Sequence, residues 1–266
     1  VTPARLERVT ATTAAETASA TMSVITAPVT ASGAAFNARR VSAERIPKKN
    51  APTRARTIAI PGHTPRTGAT VLAPHYRLAP EAPFPAQLDD CVQCYKQLLQ
   101  EGYSADRISI AGDSAGGNLT FMTAIAAMKQ GLPAPASLVM MSPALSLHPL
   151  PNSTGFERQA RDPMIRMAWA EDVERAMKVP TDHPLADPMA QDLSQLPPSL
   201  TQVGDDEVLY DNAVWVVENA TAAGREAELE VYMKRWHVFQ AHASLMPGSV
   251  RALERQAEFM KRHWAR

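Results

Sequence analysis

The chain has no run of about 18 apolar residues, the length a helix needs to cross a bilayer, although 45% of its 266 residues are hydrophobic. A membrane-spanning protein is not the expected class. Net charge is absent too, because 27 Lys and Arg balance 27 Asp and Glu. Nothing general attracts nucleic acid or an anionic surface, so a small molecule is the expected partner. Cysteine is scarce: Cys91 and Cys94 are the only two. They do not amount to a disulfide framework, and without a convincing secretory signal the expected compartment is the reducing cytoplasm. Their C-x-x-C spacing lies inside an amphipathic helical pattern. A thiolate would be stabilised at a helix N-terminus instead, so two inert thiols are expected. No clustered ligand set suggests a metal.

Residues 1–66 lack most of what a core requires. They hold one Leu (Leu6), one aromatic residue (Phe36), ten Lys and Arg, three Glu and no Asp. Ala and Thr dominate, and no period of 3.6 or 2 is sustained. A poorly ordered extension is expected, since such a composition offsets little ordering entropy. Two other readings stay open. An Arg- and Ser/Thr-rich, acid-poor leader resembles an organelle transit peptide, and the abrupt change near Thr67 also fits a stretch out of register with an ancestral coding frame.

From Ala69 the pattern changes to alternating strand and helix. Ala69–Ala73, Arg107–Ala111, Ser137–Met141, Ser199–Val203 and Glu228–Met233 are β-prone runs. Between them, Leu88, Cys91, Val92, Tyr95, Leu98 and Leu99 recur at helical spacing before Gly102. Further helices are expected over 115–129, from Val208 to about Ala223, and at the C-terminus, where Val250, Leu253, Ala257, Met260 and Trp264 share a face. Such alternation implies βαβ crossovers and a mostly parallel sheet with helices on both faces. The expected division is 1–66 as an atypical segment and 67–266 as one domain. Within it, 144–196 breaks the rhythm as a Pro-rich insertion. Ligands of parallel sheets bind beyond the carboxyl ends of the strands, so this insertion would be a cap over the site or, alternatively, extra packing.

One pentapeptide carries chemistry. Gly112-Asp113-Ser114-Ala115-Gly116 lies between a β-run and a helix-prone run, the strand-turn-helix context that a nucleophile elbow requires. Glycines on either side lack the Cβ atoms that would collide as strand and helix close on the turn. The Ala115 amide, at the helix start, points to an oxyanion donor. A serine needs a base and an orienting acid, which in such folds follow in the order Ser, acid, His. His237 follows the last strand by a short loop and is the expected base, against the alternative of a surface histidine. Asp205-Asp206-Glu207 follows the strand ending at Val203. Asp206 is the expected acid, Glu207 the second choice and Asp205 the third. His148, His183 and His242 occupy no comparable place.

Longer motifs carry a resemblance. Tyr76-Arg-Leu-Ala-Pro-Glu81 with Phe84-Pro85-Ala86 and Leu88-Asp89-Asp90, Gly112–Asn118 with its GDSAGG core, Val203–Leu209 and His237-Val238-Phe239 resemble blocks of the bacterial hormone-sensitive-lipase-like esterases. The resemblance begins near Thr67. It implies the α/β-hydrolase fold, hydrolysis of short-acyl carboxylic esters through an acyl-enzyme, a small-molecule ester substrate, no cofactor, and Asp206 as the catalytic acid. The family's His-Gly-Gly oxyanion loop has no counterpart in 1–66, and its early strands look missing or degenerate. The nearest candidate, Gly62 in Ile60-Pro61-Gly62-His63, stands too close to the next strand for a parallel crossover of about a dozen residues, so a hairpin or a position outside the sheet is expected there. Two alternatives follow: an inactive or weakly active remnant or binding protein, and a hydrolase of amides or lactones using the same triad.

Overall fold

The computed structural model describes Met22–Thr26, Ala55–Thr57 and residues 64–265, apart from 147, 149, 151 and 152. Seven strands form one sheet in the order β2-β3-β1-β4-β5-β6-β7. They are β1 (Met22–Thr26), β2 (Ala55–Thr57), β3 (Thr70–Pro74), β4 (Ile108–Asp113), β5 (Ser137–Met141), β6 (Ser199–Gly204) and β7 (Ala227–Tyr232). The helices that position the site are α1 (Ala86–Gln100), α2 (Ala115–Lys129), α3 (Gly155–Gln159), α4 (Ala170–Met177), α5 (Tyr210–Ala222) and α6 (Pro247–His263).

Strands β4 to β7 pair in parallel, and β5 and β6 are buried along their whole lengths. Their near-continuous apolar character follows from being covered on both faces. Side chains alternate across the sheet with period two. Ile108, Ile110, Leu138 and Met140 join Tyr95, Phe121 and Val216 in the core beneath α1, α2 and α5. Ala111, Val139 and Leu200 face the other way, onto Phe259, Met260 and Trp264 of the C-terminal segment. Helix α2 is buried without interruption from Thr120 to Ala127, as expected for a helix that is apolar on most sides. A polar thread crosses the second face, where the Trp264 indole N–H donates to Ser109 Oγ at 2.9 Å and that hydroxyl pairs with Ser137 Oγ at 2.7 Å.

The early strands correct one expectation. Two strands do come from the first 66 residues, and both run against the rest. Strand β1 is antiparallel to β3 and to β4, with Met22 opposite Gly112 and Thr26 opposite Ile108. Strand β2 pairs antiparallel with β3, Thr57 opposite Leu72, the hairpin-like one of the two alternatives open for the stretch before Gly62. The β-branched content of Val24-Ile25-Thr26 suits a strand, but a five-residue signal was hidden in an Ala/Thr-rich context. Gly62 itself, like most of 1–66, lies outside the described residues.

Arg77 fastens the loop after β3. Its guanidinium meets Asp90 at 2.9 Å through both Nε and Nη2, and its backbone N–H donates to the same carboxylate at 2.8 Å. The Tyr76–Glu81 block is thus tied to the first turn and a half of α1. On the buried side of that helix stand Cys91 and Cys94, both free thiols. Burial pushes Cys91 well above its ordinary value and Cys94 up to about 12. Both therefore stay protonated at neutral pH, and protonated thiols are poor nucleophiles. A chromogenic disulfide reagent at about pH 8 is expected to leave both unmodified in the native protein and to modify both in guanidinium. Reaction of either thiol without unfolding would show that α1 opens.

Candidate active site

Because β4, β5, β6 and β7 are parallel neighbours, the four loops that leave their carboxyl ends gather on one side of the sheet. Asp113 lies opposite Met141, Met141 opposite Gln202, and Gly204 opposite Tyr232. Ser114, Ser142, Glu207 and His237 all follow these end residues.

Ser114 sits between β4 and α2 with φ 55° and ψ −122°, a combination that costs a non-glycine residue energy and is held by its surroundings. Its N–H donates to the Met141 carbonyl at 2.9 Å, and its own carbonyl accepts from Asn118 and Ala144 at 3.1 and 3.0 Å. Gly112 makes the turn feasible: a Cβ there would stand 2.2 Å from the Gly116 carbonyl oxygen and 2.7 Å from Thr120 Oγ1. Ala115, the first residue of α2, is exposed beside the half-buried serine. First-turn amides have no partner within a helix and carry the positive end of its dipole, so this N–H is suited to a developing negative charge.

His237, the expected base, meets a buried carboxylate across β6 and β7, and that carboxylate is not the expected Asp206. His237 Nδ1 stands 3.2 Å from Glu207 Oε2, with His237 5% exposed and Glu207 fully buried. The other oxygen, Oε1, accepts from the Gly204 N–H at 2.6 Å and from Ser142 Oγ at 2.8 Å. Asp206 turns away to Arg161, 3.3 Å distant and largely in solvent. Asp205 accepts from the backbone N–H groups of Lys234 and Arg235. The reason is one of register. The β6–β7 ladder continues past Val203, with Asp205 N–H donating to the Tyr232 carbonyl and Asp206 N–H to that of Arg235, both at 3.1 Å. Glu207 is the first carboxylate beyond the ladder that can swing inward. A usable signal was its place before Val208-Leu209, which are buried. Gly204 allows the two loops to approach, because a Cβ on it would lie 2.2 Å from the Arg235 carbonyl oxygen.

The segment 144–196, expected to be an insertion, is bonded to this corner. Asp162, 1% exposed, accepts from the Val208 N–H at 3.0 Å as well as from Met164 and Ile165. Asp211 accepts from the Thr154 N–H at 2.8 Å, and the Phe84 N–H donates to the Met177 carbonyl at 2.9 Å. The insertion therefore braces the loop that carries Glu207. His148 pairs with Glu174, His183 accepts from the Leu185 N–H, and His242 packs edge-on against Trp236; none of these joins the Glu207–His237 pair. Among the described residues no group of three His, Cys, Asp or Glu is arranged to hold a metal, and no helix is long and apolar enough to cross a membrane.

The chain is similar to known proteins. The family model for the alpha/beta hydrolase fold matches residues 57–241. An acetyl-hydrolase of Streptomyces hygroscopicus is 37% identical over 73% of the chain, and an esterase of Acinetobacter venetianus 32% identical over 73%. The chain spans 65% of the length of each of those relatives. A crystal structure of an esterase from the bacterial hormone-sensitive lipase family superposes with a TM-score of 0.69 at 36% identity, covering 73% of this chain and 66% of that one.

The pairing makes a stability prediction. Replacing Glu207 by Ala strands a buried histidine, a hydroxyl and an amide, and is expected to cost about 3–5 kcal/mol. Asp206→Ala, which breaks only a solvent-facing pair, is expected to cost less than about 1 kcal/mol. Urea unfolding of the two variants compares them directly; equal losses would contradict the assignment of Glu207 as the buried partner.

Proposed function

The chain belongs to the alpha/beta hydrolase family, in its bacterial hormone-sensitive-lipase-like branch, and from that premise we propose that it hydrolyses short-acyl carboxylic esters through an acyl-enzyme on Ser114. The observation that carries the reading is the serine held at positive φ between strand and helix, at the same sheet end as a buried Glu207–His237 pair. With a proton on Nδ1 donated to Glu207, the imidazole keeps Nε2 as an acceptor for the serine proton. Ser114 Oγ then attacks the ester carbonyl, and the oxyanion forms near the Ala115 amide and the positive end of α2. The proton held on His237 passes to the leaving alcohol, and a water activated by the same imidazole releases the acid and frees Ser114. Glu207 orients the ring and stabilises the imidazolium, the role first given to Asp206. The names of the acetyl-hydrolase and esterase relatives support an ester substrate with a small acyl group.

A second reading, a weakly active or purely binding protein, is favoured by β1. The strand beside β4 runs antiparallel, so the chain leaves it at Thr26, opposite the first residue of β4. Six residues of strand, about 20 Å, separate that point from Ser114. A loop following β1 thus begins at the wrong end of the sheet to supply a second oxyanion donor, and loss of one such donor costs about 100- to 1000-fold in turnover.

Hydrolysis of a p-nitrophenyl ester of a short acid decides between these readings. Activity is expected to vanish in Ser114→Ala, and a fluorophosphonate is expected to label the native chain at Ser114. Absence of both, in folded protein, would establish the binding reading. Glu207→Gln is expected to lower kcat by about 1000- to 10,000-fold, as orienting carboxylates do in such triads. Asp206→Asn is expected to leave kcat within about threefold, since it alters a solvent-facing pair. The reverse ranking would return the acid to Asp206.

A further inference from the structure

Resting on that catalytic reading, we propose that Ser142 is a positioning residue that locks the acid loop and the base loop into one unit. Ser142 follows β5, has no exposed surface and adopts φ 48°. Its hydroxyl donates to Glu207 Oε1 at 2.8 Å and accepts from the Val238 N–H at 3.2 Å. Val238 is the neighbour of His237 and is itself at positive φ. A single oxygen therefore fixes one end of the carboxylate and the backbone beside the imidazole.

The placement of that oxygen is over-determined. Ser142's own N–H donates to the Gln202 carbonyl at 2.8 Å, extending the β5–β6 ladder, while the carbonyl of the preceding Met141 accepts from the Ser114 N–H. One dipeptide, Met141-Ser142, thus touches the nucleophile turn, β6, the acid and the base loop. A hydroxyl is required rather than any small side chain. Glu207 Oε1 needs a donor and the Val238 N–H needs an acceptor, and among uncharged small side chains only Ser and Thr offer both from one atom. Thr is disfavoured by its β-branch in the left-handed region. The carboxylate is then restrained from rotating away from His237 Nδ1, and the ring is restrained from swinging with its loop.

Glycine separates this role from simple packing, because it adopts the left-handed conformation without strain and removes only the hydroxymethyl group. Ser142→Gly is expected to keep the native circular dichroism and to lower kcat about 10- to 100-fold, the size of effect that small misplacements of catalytic groups produce. KM is expected to stay within about twofold, because the hydroxyl faces the acid and base loops and not the substrate. In the proton NMR spectrum, the low-field Nδ1–H signal identified by its loss in His237→Gln is expected to broaden or move upfield. Ser142→Ala, which keeps a Cβ, serves as the second variant should the glycine change unfold the chain. A kcat within twofold of the native value with an unmoved imidazole signal, in either folded variant, overturns the proposal. The imidazole signal reads the brace without turnover. A native chain with no Ser114-dependent hydrolysis would remove the catalytic reading, and a moved signal in Ser142→Gly would still support the link while an unmoved one would refute it.

Discussion

A carboxylate with no exposed surface must be met by donors at both oxygens, or its burial costs several kcal/mol. Glu207 is met by a strand-end amide, a hydroxyl and an imidazole, each from a different segment. Much of the site end follows from that requirement. Gly204 has to be glycine so that β6 can bring its amide there while the loop after β7 passes against it. Ser142 has to leave β5 at positive φ, and Val238 has to turn likewise so that its N–H reaches back. Backbone strain at four non-glycine positions, Ser114, Ser142, Lys234 and Val238, is concentrated in the loops that leave the carboxyl ends of β4, β5 and β7, where parallel pairing holds the flanking residues in place.

The insertion gains a meaning from the same carboxylate. Asp162 is almost as buried as Glu207 and also satisfies a backbone amide of the acid loop, that of Val208. Two buried acids therefore hold the two ends of the 204–208 loop, Glu207 through the Gly204 amide and Asp162 through that of Val208. The Arg161–Asp206 pair adds a solvent-facing contact between the same two segments, of a kind usually worth under about 1 kcal/mol. The insertion reads as a structural support of the acid loop, in addition to any part it plays in shaping the space above Ser114.

The central sheet was legible because its physics is local. Strands β4, β5 and β6 are short apolar runs bounded by turns, and α2 begins at the residue after the serine as the glycine spacing demanded. His237 was legible by its position after a strand. The carboxylate that meets it was not, and the cause is specific: three adjacent carboxylates differ only in how far the β6–β7 ladder runs, and one residue of extension moves the inward-facing position from Asp206 to Glu207. Ser142 was invisible for another reason. Its role depends on two loops distant in sequence, 65 and 96 residues away, and nothing local distinguishes it from a serine in a turn before proline.

The N-terminal strands bring out an asymmetry between the two sides of the serine. On one side β5, β6 and β7 all run with β4, so every loop that leaves them arrives where Ser114 is presented. On the other side the neighbour is reversed, and its exit lies at the far end of the sheet. Four parallel strands thus bring Ser114, Ser142, Glu207 and His237 to one end of the sheet, whereas β1 ends at the other. Strand pairing tolerates the reversal, because an antiparallel ladder satisfies the β4 backbone as well as a parallel one does. Pairing and direction are separable here: β1 satisfies the β4 backbone whichever way it points, whereas the end of the sheet at which its following residues begin is fixed by its direction.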